Sequence, residues 1–204
     1  FRMNRELSPE TWHGKTWQGR LGAFDTTVGL ISLGMTGRET LRHLRQLDVR
    51  ILAHDPFLSA EQIAENGAEE ASLMQIFEQS EVVSLHAPWL PETEKLIRRE
   101  HFEAMRPGAS FINTARGAIV DESALIAVLQ ERPDLFACLD VTHPEPPPAE
   151  SPLWQLPNVW LTPHLAGSEG EEPRRMVHYM LDELTRYEQN QPLQWEVTQE
   201  RFAR

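Results

Sequence analysis

The sequence holds a single cysteine, Cys138, so no internal disulfide can form. That usage points to a reducing compartment, the cytoplasm by default. No uninterrupted apolar run approaches the ~18 residues of a membrane span, and nothing near the start reads as a secretory signal. Positive charge is in deficit: 19 Lys and Arg stand against 31 Asp and Glu, a net charge of −12. Such a balance argues against a nucleic-acid or anionic-membrane partner. An initiating methionine is also missing, for the chain opens on Phe1, as a fragment or a processed chain would. What remains is ordinary for a globular chain: 204 residues, 40% hydrophobic and 25% charged, enough to bury a sizeable core.

Residues 1–24 are polar and show no clean period, with Trp12 and Trp17 set among charges and glycines. Isolated tryptophans in such a segment suit an arm that packs against another surface. From Thr27 the pattern becomes regular. "TVGLIS" (27–32) reads as a strand, a helix follows over 36–47, and "VRILAHD" (49–55) is the next strand. Strand, glycine turn, helix and strand in this span make a βαβ unit. Helices are expected at about 72–79, 101–105 and 121–131, and strands at 82–86, 109–113, 135–140 and 159–163. A last amphipathic helix covers about 172–189. Strands that read as continuous apolar runs between helices imply an α/β fold, a doubly wound parallel sheet covered on both faces. "THPEPPPAESP" (142–152) is too proline-rich for a helix or a central strand and reads as a surface loop.

The glycine loop "VGLISLGMTG" (28–37) admits two readings. The spacing Gly29, Gly34, Thr36 imitates a phosphate-binding P-loop, but Met35 stands where that loop needs lysine. The alternative is a dinucleotide-binding turn, Ser32-x-Gly34-x-x-Gly37, with serine in the first glycine position. Gly34 would let the backbone approach a pyrophosphate, Gly37 would let helix pack on strand, and Met35 and Thr36 would offer helix N-terminal N–H groups. Asp55 favours the second reading over the P-loop, a plain β-α-β turn with an exposed aspartate being the remaining alternative. It ends the next strand, where a carboxylate accepts hydrogen bonds from the adenosine ribose and repels a 2′-phosphate, favouring NAD(H) over NADP(H). Ser32 is tolerated without strain if its φ stays negative; a left-handed conformation would cost ~1–2 kcal/mol.

In open parallel sheets, ligands sit at the carboxyl ends of the strands. There the sequence places His86, Asn113 to Gly117, Asp140 and His164. The segments "GLISLGMTG…AHDP", "VVSLHAPWLPETEKLI", "MRPGASFINTARGAIVDESAL", "ACLDVTHPEP" and "LPNVWLTPHLAGS" run in register over about residues 27–190. In this order the chain resembles the D-isomer-specific 2-hydroxyacid dehydrogenases, which include phosphoglycerate, glyoxylate/hydroxypyruvate and formate dehydrogenases and an NAD-binding corepressor branch.

The resemblance implies an NAD-dependent exchange of a 2-hydroxy acid and a 2-keto acid by hydride transfer. It implies that Arg116, the arginine of "NTARG", grips the substrate carboxylate, a task suited to a planar fork of donors. By the same route His164 of "TPHLAGS" becomes the general acid/base, and Glu145 of "DVTHPEP" its orienting partner. Asp140 would hold the nicotinamide end, with Ala87, Thr114, Ala115, Arg116, His164 and Gly167 lining the cofactor. His86 reads either as a wall of the cofactor site or as a packing residue. The other histidines (His13, His43, His54, His101, His143, His178) read as surface or packing residues, and no pair has zinc spacing. Cys138, within "LFACL", reads as a small buried hydrophobe.

The resemblance divides the chain into an arm (1–24), an NAD-binding domain of the Rossmann type (25–190) and a tail (191–204) returning toward a substrate domain. A homodimer is expected, with the arm as its contact. Three departures stand out: Ser32 for glycine, Asp48 where the family usually ends a helix with glycine, and the lack of most of the substrate domain. Three functional readings follow. The chain is the cofactor part of a dehydrogenase; or it is an NAD(H)-binding interaction module, like the corepressor branch, without turnover; or it is a remnant with an impaired site.

Overall fold

The computed structural model describes Pro9 and residues 22–199. The expected arm, with Trp12 and Trp17, lies almost wholly outside the described residues. The chain divides into two compact units, Phe1–His164 and Leu165–Arg204.

In the first unit the elements alternate. They are β1 (Thr26–Ile31), α1 (Met35–Leu44), β2 (Val49–His54), α2 (Ala60–Asn66), β3 (Glu69–Glu70), α3 (Leu73–Gln79) and β4 (Val82–Leu85), then α4 (Arg99–Glu103), β5 (Ser110–Asn113), α5 (Glu122–Glu131), β6 (Phe136–Leu139) and β7 (Val159–Leu161). The strands form one seven-stranded sheet in the order β3-β2-β1-β4-β5-β6-β7, and every neighbouring pair is parallel. The doubly wound α/β reading therefore holds. The order reverses between β1 and β4, which opens a crevice at the carboxyl ends of these two strands.

The continuous apolar strands are explained by burial on both faces. All six residues of β1 are buried. On one face Val28, Leu30 and Ile51 meet Leu41 of α1 and Ile63 of α2. The other face buries Ile31, Leu52 and Phe111 with Ile76 and Phe77 of α3 and Phe102 of α4. There Phe77 and Phe111 each lie within 6 Å of the Phe102 ring centre, both edge-on, the geometry that ring quadrupoles favour.

Helix starts follow local chemistry. Asp121 accepts the N–H of Ala124 at the head of α5. Ser59 with Gln62, and Ser72 with Gln75, form reciprocal capping boxes at α2 and α3, satisfying donors that a helix start leaves unpaired. Helix α2 and strand β3 had no counterpart in the sequence reading. Asp48, in the place where the family usually ends a helix with glycine, is not among the residues with positive φ; α1 already ends at Leu44 and turns off through Arg45 in the right-handed region. The side chain at 48 therefore carries no left-handed cost.

In the second unit, α6 (Glu172–Glu188) buries none of its residues. Val177, Met180, Leu184 and Tyr187 recur along one stripe of it, all exposed. The Glu183 carboxylate accepts the backbone N–H groups of Gln194 and Trp195, each at 3.0 Å. No helix among the described residues is long and apolar enough to cross a membrane.

Candidate active site

The glycine loop leaves β1 and enters α1, so it crosses the point where strand order reverses. Gly29, one glycine of the P-loop reading, sits inside β1 and not in the loop. Gly34 is the N-cap of α1 in an extended conformation, and no side chain caps the helix. A Cβ added at Gly34 would meet nothing within 4 Å, so the loop backbone is open to an approaching group at the positive end of the helix. Gly37 is the opposite case: an added Cβ would fall 2.1 Å from the carbonyl oxygen of Ser32. Only glycine lets α1 fold back onto its own loop at that distance. The Arg38 Nε donates to the Leu33 carbonyl at 2.7 Å, which ties the loop from the helix side.

Ser32 adopts φ 74°, the left-handed region in which an L side chain is strained. The negative φ that would have spared it does not occur. Its neighbours show what holds it. The Ser32 N–H donates to the His54 carbonyl at 2.8 Å. Its hydroxyl donates to Asp55 Oδ2 at 3.3 Å, and the same oxygen accepts the Leu33 N–H at 2.8 Å. Asp55 Oδ1 accepts the Phe57 N–H at 2.9 Å. Asp55 is thus bound to the glycine loop, while its side chain lines a separate depression with His54, Pro56, Leu58 and Glu70.

A cleft of about 550 Å³ occupies the crevice. Ser32, Gly34, Met35 and Thr36 line it from the β1 side, His86 to Trp89 from the end of β4, and Thr114 to Arg116 from the end of β5. The turn after β5 is built by Asn113, which is 1% exposed. Its amide accepts the Ala115 N–H at 3.0 Å and donates to the Arg116 carbonyl at 3.1 Å. Gly117 then presses on the neighbouring loop; a Cβ there would fall 2.0 Å from the Thr142 carbonyl carbon. His86 lies against Ser84 Oγ at 3.0 Å through Nε2, and burial pushes its pKa down, so the ring is neutral at pH 7.

A second cleft of about 450 Å³ lies beyond β6 and β7, lined by Asp140, Thr142, Glu145, Pro146, Pro147, Trp154, Leu161, Thr162, Pro163 and His164. Asp140 is buried, and Oδ1 accepts the Thr162 hydroxyl. His164 has φ 55°, and its N–H is held by the carbonyls of Asp140 and Thr162, each at 3.0 Å. That conformation presents the imidazole to Glu145, whose Oε1 lies 2.7 Å from Nδ1. A carboxylate on Nδ1 selects the tautomer with its proton there.

Of the residues singled out from sequence, Glu145 and His164 touch, and Asp140 shares their cleft. Arg116 lines the other cleft with Gly34, Met35, Thr36, Ala87, Thr114 and Ala115. Gly167 belongs to the second unit, in the segment preceding α6. Sequence reasoning passed over Trp89, Trp154 and Thr162. Trp89 rests edge-on against His143, ring centres 5.6 Å apart. "APWLP" and "SPLWQL" offered the only signal for the two tryptophans, an indole inside a proline-flanked loop at a strand end.

Comparison with known proteins yields a consistent set. Residues 1–166 match the family described as D-isomer specific 2-hydroxyacid dehydrogenase, NAD binding domain. A D-3-phosphoglycerate dehydrogenase of Archaeoglobus fulgidus is 36% identical over 168 residues, 82% of this chain and 32% of that protein. An (S)-sulfolactate dehydrogenase of Chromohalobacter salexigens is 39% identical over 161 residues, 78% of this chain and 52% of that protein. Among solved structures, apo D-mandelate dehydrogenase of Rhodotorula graminis superposes with a TM-score of 0.81 at 29% identity, covering 97% of this chain and 59% of that one. The TT0316 protein of Thermus thermophilus gives 0.77 at 32% identity, covering 96% and 61%. The chain therefore spans about a third of the first of these two curated relatives and about half of the second.

Proposed function

This chain belongs to the D-isomer specific 2-hydroxyacid dehydrogenase family through its NAD-binding domain, and on that premise we propose that it serves interconversion of a 2-hydroxy acid and its 2-keto acid. The observation that carries the reading is the 2.7 Å contact between His164 Nδ1 and Glu145 Oε1 at the carboxyl edge of the sheet. A histidine held at φ 55° is a strained residue kept for its direction.

The cofactor fits the loop. The uncapped start of α1, with open space over Gly34, suits a pyrophosphate, and the Asp55 carboxylate at the end of β2 is the acceptor for a ribose hydroxyl. When bound, NADH supplies the hydride. In the proposed mechanism Arg116 pairs with the substrate carboxylate and polarises the keto oxygen, and protonated His164 gives its Nε2 proton to that oxygen as the carbonyl carbon is reduced. Glu145 keeps the imidazole aimed and carries the charge that balances imidazolium. In the oxidative direction, neutral Nε2 takes the hydroxyl proton back. The reading extends to a substrate-binding domain toward which residues 191–204 return, to a homodimer contacted through residues 1–24, and to the cytoplasm.

The decisive experiment compares wild type with His164→Ala, a substrate-binding domain being present. Turnover of 2-keto acids with NADH should fall by about 10²–10⁴ in kcat, with NADH affinity kept within about twofold. Near-normal turnover in the variant overturns the assignment. Saturable NADH binding without turnover by wild type leaves the cofactor site standing and removes the enzymatic role.

A further inference from the structure

A carboxylate has about four acceptor positions, two on each oxygen. In Asp55 three are already taken. Oδ1 accepts the Phe57 N–H, while Oδ2 accepts both the Leu33 N–H and the Ser32 hydroxyl. A ribose diol donating through both hydroxyls needs two vacant positions, and only one is open.

The two backbone donors are fixed by the turn. The Leu33 N–H at 2.8 Å and the Phe57 N–H at 2.9 Å belong to segments pinned by β1 and β2. The Ser32 hydroxyl is different. At 3.3 Å it makes the longest of the three bonds, and rotation about one side-chain bond releases it. It is also the group that glycine, the usual residue at this place in a dinucleotide-binding turn, does not have.

We propose that Ser32 is a positioning residue whose hydroxyl competes with an adenosine ribose hydroxyl for Asp55 Oδ2, so that this turn binds NAD(H) in exchange for an internal hydrogen bond. The inference rests on Asp55 being the ribose partner in the function proposed above. Its consequence is a cofactor site held slack by design of one side chain: the loop is pre-formed and Asp55 is pre-aimed, but full engagement of the diol requires the hydroxyl to swing away. The backbone strain at φ 74° is present with and without cofactor and cancels from the comparison, provided the Cβ is retained.

Ser32→Ala retains the Cβ and removes the hydroxyl, whereas Ser32→Gly removes both. Each protein is titrated with NADH and with NADPH, following energy transfer from tryptophan to the nicotinamide. Loss of one weak neutral-to-charged hydrogen bond predicts that both variants bind NADH about two- to tenfold more tightly than wild type. NADPH should gain less than NADH, because its 2′-phosphate leaves only the 3′-hydroxyl to donate and is repelled by the carboxylate. NADH affinity that is unchanged or weaker in both variants overturns the proposal. So does a gain confined to Ser32→Gly, which assigns the effect to the Cβ, and so does an equal gain for NADPH, which assigns it to general loosening of the loop. If wild type and both variants all fail to bind NADH, the cofactor reading itself falls, and this inference with it.

Discussion

At the scale of single residues, the site depends on places where one atom too many cannot be accommodated. Gly117→Ala would set a Cβ 2.0 Å from the Thr142 backbone, so the turn carrying Arg116 must move off the loop carrying Glu145. We expect a loss of about 1–3 kcal/mol of stability, read as a lower urea midpoint, with weaker binding of carboxylate inhibitors in the presence of NADH. Glu145→Gln tests a separate link. It keeps a hydrogen-bonding group on His164 Nδ1 but removes the balancing charge. Turnover should drop by less than in His164→Ala, with NADH affinity unchanged. Turnover equal to wild type would remove Glu145 from that role. The residue scale also shows what the sequence left open. Ser32 was visible as an anomaly, but its φ of 74° and its hold on Asp55 depend on where β2 ends, which no local pattern states. The partner of a loop carboxylate is a tertiary fact.

At the scale of elements, most of the sheet was readable because a parallel strand buried on both faces leaves an apolar run. Strand β1 is wholly buried, and the expected 27–32 lies one residue from the observed Thr26–Ile31. Helix α2 and strand β3 escaped for the matching reason. Helix α2 buries only Ile63, and β3 is two exposed glutamates, so neither writes a period into the sequence. Their existence rests on a cap and a sheet edge. Helix α3 shows how such caps act: Ser72 and Gln75 exchange hydrogen bonds at its start. Ser72→Ala should cost about 1 kcal/mol, measurable as a shifted urea midpoint with an unchanged slope, while Ser72→Asp should preserve the midpoint. The site's clefts were legible as strand ends, since polar residues collected there. Which strand end faces which was not. Arg116 lines one cleft and His164 the other.

At the scale of the whole molecule, stability should depend on pH through buried His101 and half-buried His86. Burial lowers the pKa of His86 and of His101, so the unfolded chain, near 6.5, takes up protons before the folded one. The stabilisation is complete above about pH 6.5 and is lost as pH falls below it. His101 accepts the Arg98 N–H at 3.1 Å as the third residue of α4, and glutamine at that place can accept the same N–H. His101→Gln should therefore lose less stability than wild type between pH 7 and pH 5, compared as urea midpoints at each pH; parallel curves would contradict this. Association belongs to the same scale. If residues 1–24 form the dimer contact, Trp17→Ala should lower the sedimentation coefficient toward the monomer at micromolar concentration, and an unchanged value would remove that role.

Gly117 and Thr142 meet backbone to backbone, with no side chain between them. That contact has a consequence for chain length. A residue inserted beside either position has nowhere to go without lifting the other loop, whereas residues 148–150 are exposed. A library of single-residue insertions should be depleted around 117 and 142 and populated around 148–150. In this domain the permitted places for growth would then be set by two backbones in contact and not by the composition of either loop.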